Sequence, residues 1–315
     1  MYGKYIHKTK LRSKKIKKIV SILLLLALSI LAFAACGEAS ATEYTLSVAT
    51  DVSVSGTKAS TVVVALVTDA EGKIVAARFD ALDANFALNS ENQLSIPDVM
   101  TTKVELGDLY TGMAAGSWAD QAAAYESYII GKTKAEIASL DDTLVTGCTM
   151  SNSKTTFKAL LAKAFDSAYA VKFESNTAPT LGVAINGKMS GSIDDASGKF
   201  SADYAGVAMV DGKVVAAKLD SAEVTLALAI GDDGLECTSS SFYGSKNELG
   251  ENYVMPAGAW YKQAQAFADS AVGKTASELP SLEVVSDALA EAGCTMKNTT
   301  GGYKATIIKA ASAAR

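Results

Sequence analysis

Apolar residues recur at every second position early in the chain and at every third or fourth position later, and this change of period happens twice. Tyr44–Ala49 alternates, Thr61–Val67 is a β-branched run, and Asp69–Asp80 holds a turn and then another extended stretch, which together predict strands. Trp118, Ala122, Tyr125 and Ile129 then fall at i, i+4, i+7 and i+11, one apolar stripe along a helix. A last helix is predicted over Phe157–Phe165. The second half repeats the order: strands at Tyr204–Val210 and Lys213–Asp220 around an Asp211-Gly212 turn, a stripe of Trp260, Ala264, Phe267 and Ala271, and a helix over Tyr303–Ala311. Strands first and helices afterwards predict an α+β fold, two tandem similar domains, each an antiparallel sheet followed by helices.

Identities reinforce the pattern at a spacing of about 142 positions. Thr102–Tyr110 returns as Ser245–Tyr253, Trp118 as Trp260, Gly131-Lys132-Thr133 as Gly273-Lys274-Thr275, and Gly147-Cys148-Thr149-Met150 as Gly293-Cys294-Thr295-Met296. Such a period is far longer than a solenoid repeat and predicts a duplicated domain. The boundaries read 44–171 and 180–315, with 172–179 as a linker.

Residues 1–18 carry eight Lys or Arg and no acid, and Ile19–Ala35 is a nearly unbroken apolar run. A basic segment, a greasy segment and small residues before Cys36 predict an export signal over 1–35. The same layout resembles the lipobox of bacterial lipoproteins, which implies lipidation of Cys36 and a tether over 36–43. An uncleaved membrane anchor is the alternative, because 17 residues is the lower limit for a spanning helix. Both place the body on the extracytoplasmic face of the membrane.

Losing the signal leaves 21 basic residues against all 34 acids, a formal charge of −13. That argues against nucleic acid as a partner, since phosphate contact needs a basic surface. The single histidine, His7, leaves as well, which excludes a Ser-His-Asp or Cys-His relay and any imidazole metal site. Cys148, Cys237 and Cys294 have no metal-ligand spacing; Cys148 and Cys294, at equivalent places, read as small loop residues, with reactive thiols as the alternative.

Gly-Lys-Thr resembles the end of a phosphate loop, but the glycine needed five positions earlier is Glu126 in one half and Ala268 in the other. Thr133 with Glu136 and Thr275 with Glu278 read instead as capping boxes. For Lys103/Lys246 and Glu105/Glu248 the expectation is a solvated loop pair. Asp80 and Asp220 read as turn formers at strand ends.

The Gly-Cys-Thr segment carries the chemistry. In Thr146–Ser151 a threonine hydroxyl stands among small residues just before a helix that Ser151, Asn152 or Ser153 could cap. A helix start offers free N–H groups and the positive end of the dipole, which suits a phosphate. Here the chain resembles the FMN-binding domain family of bacterial electron-transfer proteins, whose Asp-x-x-Ser-Gly-Ala-Thr-x-Ser/Thr motif precedes the last helix. The resemblance implies FMN esterified through its phosphate to the threonine by a flavin transferase. It places Thr149 on the flavin-bearing position, Thr146 on the Ser, Gly147 on the Gly, Cys148 on the Ala, Ser151 on the last hydroxyl and Thr143 on the acid. In the second half Gly293 and Thr295 take the corresponding places, while Ala292, Lys297 and Leu289 depart from the motif, so Thr149 is the stronger site.

A flavin ring also needs a flat wall and a few hydrogen-bond partners. Trp118 and Trp260 are the only tryptophans, and Gln121 and Gln263 lie three residues on, on the same helix face. Either they line a flavin site or the tryptophans anchor the helix to the sheet. The implied function is an electron carrier on a lipid anchor, taking electrons from a membrane donor to a small-molecule or protein acceptor. The alternative is a non-catalytic ligand-binding or surface-interaction lipoprotein on the same scaffold without flavin.

Overall fold

A computed structural model describes residues 41–110, 114–141, 143, 145–283, 290–291, 294, 296 and 302–315. Thr42–Arg315 forms one compact unit. Its strands make two antiparallel four-stranded sheets. The first has the order β3-β2-β1-β4, from β1 (Thr42–Ser55), β2 (Lys58–Asp69), β3 (Ile74–Asn85) and β4 (Val171–Ser175). The second has the order β5-β6-β7-β8, from β5 (Thr180–Ser192), β6 (Ser197–Val210), β7 (Lys213–Gly231) and β8 (Gly234–Ser241). A two-residue pair, β9 (Val254–Met255) with β10 (Gly258–Ala259), lies apart from both.

The helices follow the strands, as the apolar spacing predicts. In the first half they are α1 (Lys103–Leu106), α2 (Trp118–Ile129), α3 (Lys134–Ala138) and α4 (Ser151–Phe165). In the second, the helices whose bounds are described are α5 (Lys246–Leu249), α6 (Trp260–Asp269) and α7 (Tyr303–Ser312). None of the described helices is long and apolar enough to cross a membrane.

Three cores stack as layers. Along β2, Val63, Ala65 and Val67 point into a core shared with Leu181, Ile185, Phe200 and Tyr204 of the second sheet, so the two sheets lie face to face. The alternate residues Val64 and Leu66 point the other way, onto Trp118, Tyr125, Phe157 and Leu161 of α2 and α4. A strand covered on both sides reads as a continuous apolar run rather than an alternation, which is why Val62–Val67 has no polar break. Each such fully buried Leu or Val contributes roughly 1.5–3 kcal/mol. In the second sheet Val207, Ala217 and Leu219 face α6 and α7 through Trp260, Phe267 and Ile307. The layers therefore run helix, sheet, sheet, helix.

Several local details match between the halves. Ile74 N donates to Lys132 O (2.9 Å) and Gly131 N to Ile74 O (2.8 Å), and the same pair of bonds joins Val214 to Lys274 and Gly273 at 2.9 and 2.8 Å. Asp211 and Gly212 both have positive φ (50° and 74°), the tight hairpin turn expected of Asp-Gly. One expectation is corrected. Lys172–Ser175, read as linker, are part of β4, which pairs with β1 from Leu46–Val171 to Thr42–Ser175 and stacks Phe173 on Tyr44 at 5.6 Å. Alternating apolar residues recruit this stretch to the open edge of the first sheet.

Candidate functional site around Thr149

Gln121 organises the Gly-Cys-Thr loop from below. It lies on the second turn of α2, whose start is held by a capping box between Ser117 and Asp120. The side chain is wholly buried (0 % exposed), so its amide must find partners within the protein. Its Nε2 donates to Gly116 O at 3.2 Å, and its Oε1 accepts both Thr149 N (2.8 Å) and Thr149 Oγ1 (3.0 Å). Gly147 turns the chain with φ +82°, a conformation that other residues adopt only with strain. Cys148 and Met150 are buried on either side of Thr149 and pin the loop to the core, whereas Thr146, Gly147 and Thr149 are exposed. The Thr149 hydroxyl thus gives its proton inward and turns its lone pairs toward solvent.

Thr149 stands two residues ahead of α4. The cap of that helix is Met150, which makes no side-chain hydrogen bond to it, so the cap position differs from the expected Ser151, Asn152 or Ser153. Met150 is buried in the core and Ser151 is the first residue of the helix. The first N–H groups of α4 therefore lack a cap from Met150 and add the positive end of a fifteen-residue helix close to Thr149. Near the acidic position of the motif, Thr143 donates through N and Oγ1 to Asp141 Oδ1 at 2.9 and 2.7 Å, and the hydroxyl bond holds that carboxyl below its usual range.

The tryptophans fill a different role from the one expected of a ring wall. Trp118 is 3 % exposed with its ring edge-on to Phe157 at 5.8 Å, and Trp260 is 1 % exposed with Nε1 donating to Tyr303 Oη at 3.3 Å. Neither presents an open face, because each is the residue that seats its helix on the sheet. Gln263 repeats the first bond of Gln121, donating to Gly258 O at 3.1 Å. Gly293, Thr295, Ala292, Lys297 and Leu289 lie outside the described residues, as do Cys36, the signal 1–35 and the start of the tether.

Two constellations escaped the sequence reading. Asp80 and Asp220 are mid-strand and buried, not turn formers at strand ends. Asp80 Oδ1 accepts from Ala81 N (2.8 Å) and Val104 N (3.2 Å), and Asp220 Oδ1 from Ser221 N (2.7 Å) and Asn247 N (3.0 Å). Each carboxylate thus anchors the short capping-box helix that follows, α1 or α5. Burial raises the Asp80 carboxyl to about 6 and raises that of Asp220 as well.

Lys246 is also no solvated loop residue. It is buried, lies 5.3 and 5.4 Å over the Tyr253 and Trp260 rings, and pairs with Glu223 at 3.3 Å. Lys103 does the same more loosely, 5.1 Å over Tyr110 and 3.4 Å from Asp83. The only local signal for these was their recurrence at the same place in both halves.

Cys148 and Cys294 are free thiols buried in the two outer cores, in line with their reading as small loop residues. In comparisons with family models, curated proteins and solved structures, the chain has no significant match.

Proposed function

We propose that this chain is an extracytoplasmic electron-transfer lipoprotein, tethered through Cys36, that carries FMN esterified through its phosphate to Thr149. The observation that carries the reading is the setting of Thr149: an exposed residue whose backbone N–H and hydroxyl both donate to Oε1 of the buried Gln121, just ahead of α4. A phosphate esterified there lies close to the positive end of the helix, which favours its charge. Gln121 acts as a positioning residue, since an amide oxygen orients the hydroxyl without removing its proton. When bound, the flavin supplies the redox chemistry, and the protein supplies position and field. The partners on this reading are a flavin transferase, a membrane electron donor and a small-molecule or protein acceptor.

The reading includes a tandem duplication of 44–171 in 180–315. The paired bonds of Ile74 and Val214, of Gln121 and Gln263, and of Asp80 and Asp220 support it. The fit is good at the phosphate end and poor at the ring end, where Trp118 and Trp260 are sealed in the core. That sealing favours a second reading, a surface-interaction lipoprotein on this scaffold without flavin.

One experiment separates the two. The full chain is co-expressed with a flavin transferase, run on a denaturing gel and viewed under ultraviolet light. The first reading expects a fluorescent band that disappears in Thr149→Ala. A dark wild-type band supports the second, and a band that stays equally bright in Thr149→Ala moves the attachment elsewhere.

A further inference from the structure

The two halves differ at one buried ion pair. In the first, Arg78 Nη1 of β3 donates to Glu126 Oε2 of α2 at 3.2 Å, and Glu126 Oε1 accepts from Phe79 N at 2.8 Å. Arg78 also donates to the Arg315 carbonyl, and the Arg315 guanidinium lies 3.8 Å from the same carboxylate. In the second, the place of Arg78 is taken by Lys218 of β7, which faces Gly206 across the ladder as Arg78 faces Ala65. The place of Glu126 is taken by Ala268.

Lys218 keeps a buried ammonium without the carboxylate. It is 2 % exposed, its Nζ reaches Gln265 Oε1 at 3.0 Å and lies 5.9 Å from the Tyr169 ring, and among the described residues no carboxylate comes within salt-bridge distance. A groove of about 680 Å³ opens over it, a size suited to a small ligand. Its walls include Tyr169 and Tyr261, with ring centroids 4.5 Å apart, while Lys172 and Lys262 at its sides are already paired with Glu43 and Glu251. Burying a cation without a counter-charge is costly, and a groove that leads to one selects for an anion.

We propose that this groove binds a small aromatic carboxylate, whose carboxylate gives Lys218 the partner that Glu126 gives Arg78 and whose ring lies against Tyr169 and Tyr261. Burial lowers the Lys218 amine to about 8, against the upward pull of Asp220 and Asp269. The other charges facing it are Lys262 of α6 and Lys172 of β4. An anionic ligand favours the ammonium, so its binding takes up protons near pH 8 and weakens as the pH rises beyond that.

The test is calorimetric titration of the full chain with 2-naphthoate, and with 2-naphthol as the uncharged counterpart. At pH 7 naphthoate is expected to bind at least about tenfold more tightly than naphthol, the scale of one hydrogen bond to a charged group. Lys218→Met is expected to remove that preference. Ala268→Glu, which supplies the carboxylate from within the protein, is expected to abolish naphthoate binding while leaving Lys218 in place. Raising the pH from 7 to about 9.5 is expected to weaken naphthoate binding by about tenfold or more in the unaltered chain, which keeps the test decisive if either variant fails to fold. No saturable naphthoate binding, equal binding in Lys218→Met, or a flat pH series overturns the proposal.

Discussion

Lys309 of α7 meets Glu105 of α1 at 2.8 Å, a contact from the last helix of one half to the capping box of the other. The opposite contact exists too, Lys163 of α4 to Glu248 of α5 at 2.5 Å. Each lysine also donates to a strand carbonyl, Lys309 to Ile185 O (2.8 Å) and Lys163 to Thr50 O (2.6 Å). The two halves of the chain are thus held together from both directions.

Both clasps are part-exposed, so each contributes modestly. Lys309→Met and Lys163→Met are each expected to cost about 0.5–1.5 kcal/mol in urea unfolding, an ion pair plus one hydrogen bond to a carbonyl. The loss should shrink in high salt, where the ion-pair part is screened. A cost unchanged by salt would show that the carbonyl bonds alone do the clasping.

Asp80 sets a pH dependence whose sign follows from its raised carboxyl. Its folded value of about 6 lies above the ordinary 3.8, so its contribution is full below about pH 4 and is lost as the pH rises through 6. Asp80→Asn keeps an oxygen for Val104 N and carries no charge. Relative to the unaltered chain it should gain roughly 1–3 kcal/mol between pH 4 and pH 7. Thermal melts across that range measure the difference, and parallel curves for the two proteins would refute the burial argument.

Gln121 holds Thr149 from a site with no access to water. Gln121→Leu leaves Thr149 N and Gly116 O without that partner and is expected to cost about 1–3 kcal/mol. Hydrogen exchange should show the Thr149 amide losing protection while the β2 amides keep theirs. Protection that persists at Thr149 would mean the loop is held by Cys148 and Met150 alone.

Gly206 lies where the two sheets come close together. A Cβ there would stand 2.8 Å from Val48 Cγ1 and 2.9 Å from Ala65 Cβ. Gly206→Ala is expected to cost about 1–3 kcal/mol through overpacking, read by chemical denaturation. A neutral result would show that the two sheets can separate slightly without loss.

The strands and helix stripes were legible because each residue's role there depends on neighbours at spacings of 2 or 3.6. The capping box of Thr133 with Glu136 is similarly local, whereas Glu105 and Glu248, expected in a solvated loop, close capping boxes with Thr102 and Ser245. The face-to-face packing was not read, although Val62–Val67 announces a strand buried on both sides. Asp80 and Asp220 could not be read from their surroundings, because their partners Val104 and Asn247 lie 24 and 27 positions away. The helix face of Gln121 is visible in the sequence, but its bond to Thr149, 28 positions on, appears only once the loop folds back.

The shared core between the sheets also orders events in time. The first sheet is complete once β4 has been made, but the surface it must cover is not complete until β8, at Ser241. At roughly 5–20 residues per second of synthesis, that is a wait of several seconds with Val63, Ala65 and Val67 uncovered. The nascent first half therefore carries an uncovered apolar sheet face until the second sheet arrives, and a chain cut between β4 and β5 would keep that face open.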